Sequence, residues 1–208
     1  MKYEWKKQDK HLYLPKAKPE FITVPSYNYF MLRGQGNPNH EDFANAVGTL
    51  YSLSYGVKML PKKGVMPEGY YEYSIFPLEG VWDLTEDGRK KEVLDKDELV
   101  YTIMIRQPDF VTAELASEVL EAVKRKKPNP LLDQAVFGIW EDGLSVQMLH
   151  NGPFDDEPAS FALMEQFCLD NYLLRASKIH REIYISDARR TQPAELKTVL
   201  RFAVTVNN

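Results

Sequence analysis

The stretch His180-Arg181-Glu182-Ile183-Tyr184-Ile185-Ser186-Asp187 reads as a β-strand. Alternation puts Glu182 and Tyr184 on one face and Ile183 and Ile185 on the other, so a carboxylate shares its face with an aromatic ring. That pairing suits a pocket for a cationic or polyaromatic ligand, and partial desolvation there lifts a carboxyl towards proton-transfer work. A strand glutamate can equally face water. The surroundings of this strand decide the fold. Pro158 suits the first turn of a preceding helix, whose apolar stripe is Phe161, Met164, Cys168 and Tyr172. Before that helix, Gln134 to Trp140 and Leu144 to His150 form a hairpin candidate around Glu141-Asp142-Gly143, because Asp-Gly favours tight turns. Val199 to Val206 supplies a closing strand.

The first half repeats this order. Phe21 to Gly34, carrying Pro25, reads as an edge or opening strand. A helix follows, capped by Asn39 or Asp42, with Phe43, Val47, Leu50 and Ser54 at helical spacing. Tyr70 to Phe76 is a β-prone run ended by Pro77, and Leu99 to Arg106 alternates as a further strand. A second helix starts near Thr112 and Glu114, buries Leu115, Ala116, Val119, Leu120 and Val123, and ends at Pro128-Asn129-Pro130. Met31-Leu32-Arg33-Gly34 also resembles Met148-Leu149-His150-Asn151. The pattern predicts an α+β fold of duplicated strand-helix-strand-strand units, forming two pseudo-symmetric lobes with an antiparallel sheet and a central ligand cleft. An N-terminal extension of residues 1–20 is expected before a single domain over residues 21–208, with lobe 1 at about 21–127 and lobe 2 at about 131–206.

Composition narrows the function. The 208 residues can bury a sizeable core, and 12 Tyr, 10 Phe and 3 Trp are enough to line a pocket as well as fill that core. A net charge of -4 argues against nucleic acid as a partner. The run Lys124-Arg125-Lys126-Lys127 reads as a solvated helix end rather than a phosphate site. One cysteine, Cys168, offers no disulfide framework or thiolate metal site, and a core position is expected for it. No apolar run follows the charged start, and none approaches a membrane span, so a cytoplasmic protein without a membrane partner is expected.

Specific motifs add a resemblance. His150-Asn151-Gly152-Pro153-Phe154 is similar to the His-x-Gly-Pro-Tyr turn of the GyrI-like small-molecule-binding domain, and Glu182-Ile183-Tyr184 to its Glu-x-Tyr strand. Phe154 replaces the usual Tyr. Phe76-Pro77-Leu78-Glu79-Gly80-Val81-Trp82 and Ser186-Asp187-Ala188-Arg189-Arg190-Thr191 resemble a stand-alone subfamily. Members of that subfamily bind flat, hydrophobic or cationic compounds, and some hydrolyse cyclopropanoid DNA-alkylating antibiotics of the yatakemycin type. In regulator members the domain follows a helix-turn-helix or winged-helix unit; with about twenty residues before the first strand, none is expected here.

The resemblance implies a cleft in which Glu182 meets ligands, either as the base that activates water or as a counter-charge. Tyr71 and Tyr73, on the strand expected to correspond to that of Glu182, offer a hydroxyl to a ligand or water, with Tyr71 favoured. Glu72 is expected to align with Glu182. Trp82, Trp140, Phe154 and Tyr184 are expected in the ligand-binding walls, although each Trp also suits a core. His150 reads as a turn-stabilising histidine. Arg189 and Arg190 read as local partners of Asp187. The chemistry implied is water addition to a strained cyclopropane, with no metal or organic cofactor. The competing readings are a non-catalytic multidrug-binding protein and an interaction protein acting on a partner such as a topoisomerase. The sequence identifies no protein partner.

Overall fold

The computed structural model describes residues 2–206. Its strands are β1 (Glu20–Val24), β2 (Tyr27–Gln35), β3 (Leu78–Leu84), β4 (Leu99–Arg106), β5 (Val136–Trp140), β6 (Gly143–Asn151), β7 (Leu173–Arg175), β8 (His180–Tyr184) and β9 (Lys197–Val206). The helices are α1 (Trp5–Gln8), α2 (Lys10–Tyr13), α3 (Glu41–Lys58), α4 (Ala113–Lys126) and α5 (Glu157–Asp170). The chain divides into two compact units. One holds the first residues to Glu4, Tyr27–Leu78 and Trp82–Trp140; the other holds Trp5–Ser26, Glu79–Val81 and the chain from Glu141 onward.

The fold is α+β and duplicated. In the first unit the strand order is β5-β2-β4, followed by the ends of β3, whose Glu79–Val81 belong to the second unit; in the second it is β1-β6-β9-β8, with β7 also on β9. Each unit therefore places its first long strand (β2 or β6) between an edge strand and the last strand of the repeat. α3 packs on β2 and β4 and against α4 in the first unit, while α5 packs on β6 and β7 in the second. Thr112 starts α4 as expected, its hydroxyl accepting from the Leu115 amide at 3.2 Å. The core under α5 joins Val146, Met148, Met164, Cys168, Leu200 and Phe202, so Cys168 is a packing residue. Met164 and Leu200 are fully buried, each contributing on the order of 1.5–3 kcal/mol.

Three local expectations are corrected. Val136–Trp140 and Gly143–Asn151 do not pair as a hairpin: β5 runs antiparallel to β2, whereas β6 pairs with β1 and β9. Asp142, expected in the turn, is drawn instead into ion pairs with Arg181 and Arg201. Residues 70–76 do not form a strand, and the strand of the repeat is β3, which begins after Pro77. Among the described residues that run takes part in an isolated bridge between Tyr3 and Tyr73, with the Tyr3 amide donating to the Glu72 carbonyl at 2.6 Å and the Ser74 amide to the Tyr3 carbonyl at 2.8 Å. Its β-preference reflects side chains that want packing, which its aromatic rings obtain from one another without a sheet. Finally, the opening strand is two strands, interrupted at Pro25-Ser26.

Candidate functional site

Register sets the face of Glu182. Glu182 lies opposite Leu200, which lies opposite Met148, and Tyr184 lies opposite Thr198, which lies opposite His150. Cross-strand neighbours project to one face, so Glu182 points to the side where Met148 and Leu200 join the core with Met164 of α5. Glu157 is the first residue of α5, and it is only 6% exposed. Its carboxyl interacts with that of Glu182, while its Oε1 is buried with no hydrogen-bond partner among the described residues. Burial pushes the Glu157 carboxyl up to about 10, reinforced by the Glu182 charge, by the hydrogen bond to Glu182 and by Asp155. A helix N-terminus favours an anion by about 0.3–1 kcal/mol, less than one pK unit. Burial beside a like charge is the larger effect, lifting carboxyls by several units. Glu157 therefore keeps its proton at neutral pH.

Three partners orient Glu182. The Tyr184 hydroxyl donates to Oε2 at 2.9 Å, His180 Nε2 lies 3.2 Å from Oε1, and Glu157 supplies the third contact. An ionised carboxylate has about four lone-pair sites, so one remains for a water or ligand donor. The His180 ring is set edge-on against Phe161, with centroids 4.8 Å apart, and Nδ1 faces the Lys178 carbonyl at 3.3 Å. Phe154, 37% exposed, meets Tyr184 edge-on at 6.0 Å. Glu182, Tyr184 and Phe154 are thus brought together in the second unit. Glu157 and His180 join them; neither is singled out by the sequence, where a Glu before Pro158 looks like any helix start.

The other expected residues belong to the first unit. Tyr71 packs against Tyr3 at 5.5 Å and edge-on against Phe110 at 5.4 Å. Tyr73 is buried to 1% exposure, with Lys58 Nζ 4.7 Å above its ring; burial pushes its phenol up, and the hydroxyl has no hydrogen-bond partner among the described residues. Because β3 is the counterpart of β8, Glu72 does not correspond to Glu182. Trp82, 4% exposed, stacks on Phe43 at 5.7 Å and tilts against Tyr101 at 5.3 Å. Tyr101 lies directly opposite Gly34, and a Cβ at that glycine would collide with the ring. Trp140 ends β5 opposite Tyr27.

The opposite face of the second unit's sheet carries a buried charge network. Arg181 reaches Glu79 and Asp142, both at 2.7 Å, and Arg201 reaches Asp142 at 3.1 Å and Gln147 at 2.9 Å. Arg201 also donates to the Leu12 carbonyl at 2.9 Å, and Gln147 to that of His11 at 2.8 Å, so the network fixes the α2 segment. Burial pushes Glu79 up, against the pull of Arg181 and Arg201. Burial also raises Asp142, but the two guanidiniums outweigh it and hold that carboxyl low. The network is structural. Arg189 pairs with Asp187 at 2.8 Å, as the sequence suggests.

Among the described residues, no group of three or more His, Cys, Asp and Glu is arranged to hold a metal ion, and no helix is long and apolar enough to cross a membrane. The chain is similar to a hydrolase from Listeria innocua at 35% identity, covering 98% of this chain and all of the other, with a TM-score of 0.88. A second Listeria innocua hydrolase is 36% identical over 99% of this chain and all of its own, with a TM-score of 0.90. An uncharacterized conserved protein from that organism is 37% identical over 98% and 100%, also at 0.90. No curated protein matches the chain. The family profile described as the GyrI-like small molecule binding domain matches residues 17–205, and the chain belongs to that family.

Proposed function

We propose that this protein captures flat hydrophobic or cationic polyaromatic compounds and hydrolyses cyclopropanoid DNA-alkylating agents of the yatakemycin type. The observation that carries the reading is the Glu157–Glu182 pair: one carboxyl held protonated beside another that three contacts orient. Such a pair separates acid and base roles on two chemically identical groups. The similarity to two hydrolases supports catalysis over capture alone.

In the proposed reaction, Glu182 accepts a proton from water as the water oxygen bonds to the cyclopropane methylene. The carbon–carbon bond of the ring breaks, and its electron pair flows into the conjugated dienone. The dienone oxygen takes up a proton from solvent and becomes a phenol while Glu182 releases the one it accepted, so one water is added in total and the base is regenerated. Strain relief and restored aromaticity drive the step, leaving the protein to orient the reactants and place the base. Tyr184 and His180 keep the carboxylate aimed. Phe154, set edge-on against Tyr184, supplies an aromatic wall beside the carboxylate; Tyr71, Tyr73, Trp82 and Trp140, which pack within the first unit, are given no role in this step. The test is incubation with a cyclopropanoid followed by chromatography and mass measurement. A gain of one water with turnover above stoichiometry is expected; unchanged ligand with quenched Trp fluorescence would select a non-catalytic binder.

A further inference from the structure

His150 is 4% exposed on β6, and both of its ring nitrogens are engaged: Nε2 lies 3.0 Å from the Pro153 carbonyl and Nδ1 2.9 Å from the Ser160 hydroxyl. A carbonyl can only accept, so Nε2 carries the hydrogen, and in the neutral ring Nδ1 accepts from Ser160. A helical serine commonly turns its hydroxyl back to the carbonyl four residues earlier; this one reaches a histidine on the sheet. The two contacts bracket Glu157, since Pro153 lies before it and Ser160 after it in the chain. α5 has no side-chain cap hydrogen bond at its start. The turn is also anchored by Gly152, at φ 128, whose amide donates to the Leu196 carbonyl at 3.0 Å.

We propose that His150 and Ser160 are positioning residues for Glu157: by bridging the chain on both sides of it, they set the angle at which α5 begins and hold the Glu157 carboxyl against Glu182. Neither touches the reacting atoms; they act through Glu157. Register supports the geometry, because His150 shares a cross-strand row with Thr198 and Tyr184, one step from the row of Glu182. Charged or titratable groups facing the pair include Asp155 on the turn and His180 and Tyr184 on β8. The functional weight of this role rests on the Glu157–Glu182 reading above.

The test follows the infrared carbonyl band of a protonated carboxyl, assigned to Glu157 by its loss in Glu157→Gln. It is titrated in wild type, Ser160→Ala, Ser160→Thr and His150→Gln, with thermal unfolding measured alongside. Ser160→Ala deletes one strut at almost no cost in volume. Its titration midpoint is expected to fall by about one pH unit or more as Glu157 gains solvent and leaves Glu182, and Ser160→Thr is expected to restore it. A midpoint unchanged in both Ser160→Ala and His150→Gln, with only the melting temperature lowered, would overturn the proposal. A lowered midpoint with unaltered dye binding and hydrolysis would uphold the positioning role and refute the functional reading of the pair. Absence of the band from wild type at neutral pH would refute both.

Discussion

Replacing Glu157 by Gln should stabilise the protein at neutral and alkaline pH while leaving it nearly unchanged in acid. The folded state holds Glu157 protonated, and Gln keeps the volume of that neutral group and one hydrogen to offer Glu182. An unfolded glutamate ionises near its ordinary value, so between there and about 10 the folded wild type binds the extra proton. A carboxyl raised on folding contributes stability that is full below the unfolded value and is lost as pH rises towards the folded one. The loss runs at up to about 1.4 kcal/mol per pH unit, reaching about 3.5 kcal/mol by pH 7 as an upper bound. The second amide hydrogen of Gln offsets roughly 1 kcal/mol if it finds no acceptor. Urea unfolding of both proteins from pH 4 to pH 9 measures the difference. The gap between variant and wild type should widen steadily with pH; parallel stability profiles would refute the proton retained on Glu157.

Arg181→Met should cost about 3–5 kcal/mol, because it leaves Glu79, 1% exposed, as a buried carboxyl without its main partner; a loss under 1 kcal/mol in urea unfolding would contradict the network's role. Trp82→Ala should lower stability by about 3–5 kcal/mol, given its burial between Phe43 and Tyr101, and a neutral melting curve would contradict that placement.

The strand around Glu182 was legible because alternation fixes which side chains share a face, and Ile183 is buried while Glu182 and Tyr184 are partly covered. The helices were legible from their stripes, as in α4 and in Met164 and Cys168 of α5, but α5 ends at Asp170 and Tyr172, expected in its stripe, is 77% exposed. Pairing partners were not. Asp142-Gly143 has the chemistry of a hairpin turn, but all five residues of β5 pair with β2, and two arginines claim the aspartate. Tyr70 to Phe76 has strand composition without a strand neighbour. Glu157 was hidden for a different reason: a glutamate at a helix start usually faces solvent, and only the sheet register that aims Glu182 at α5 makes this one a buried acid. His150 was readable as a turn residue, whereas its link to Ser160 spans β6 and α5 and needs the packed structure.

The central claim is that Glu182 acts as the base in a water addition. Its most direct test is the single-turnover hydrolysis of a neutral cyclopropanoid by wild type and Glu182→Gln, with ligand affinity measured separately. Glu182→Gln should bind the neutral compound as wild type does while hydrolysing it about 10²- to 10⁴-fold more slowly. Hydrolysis within a few-fold of wild type, or a loss confined to the binding of cationic ligands, would contradict it.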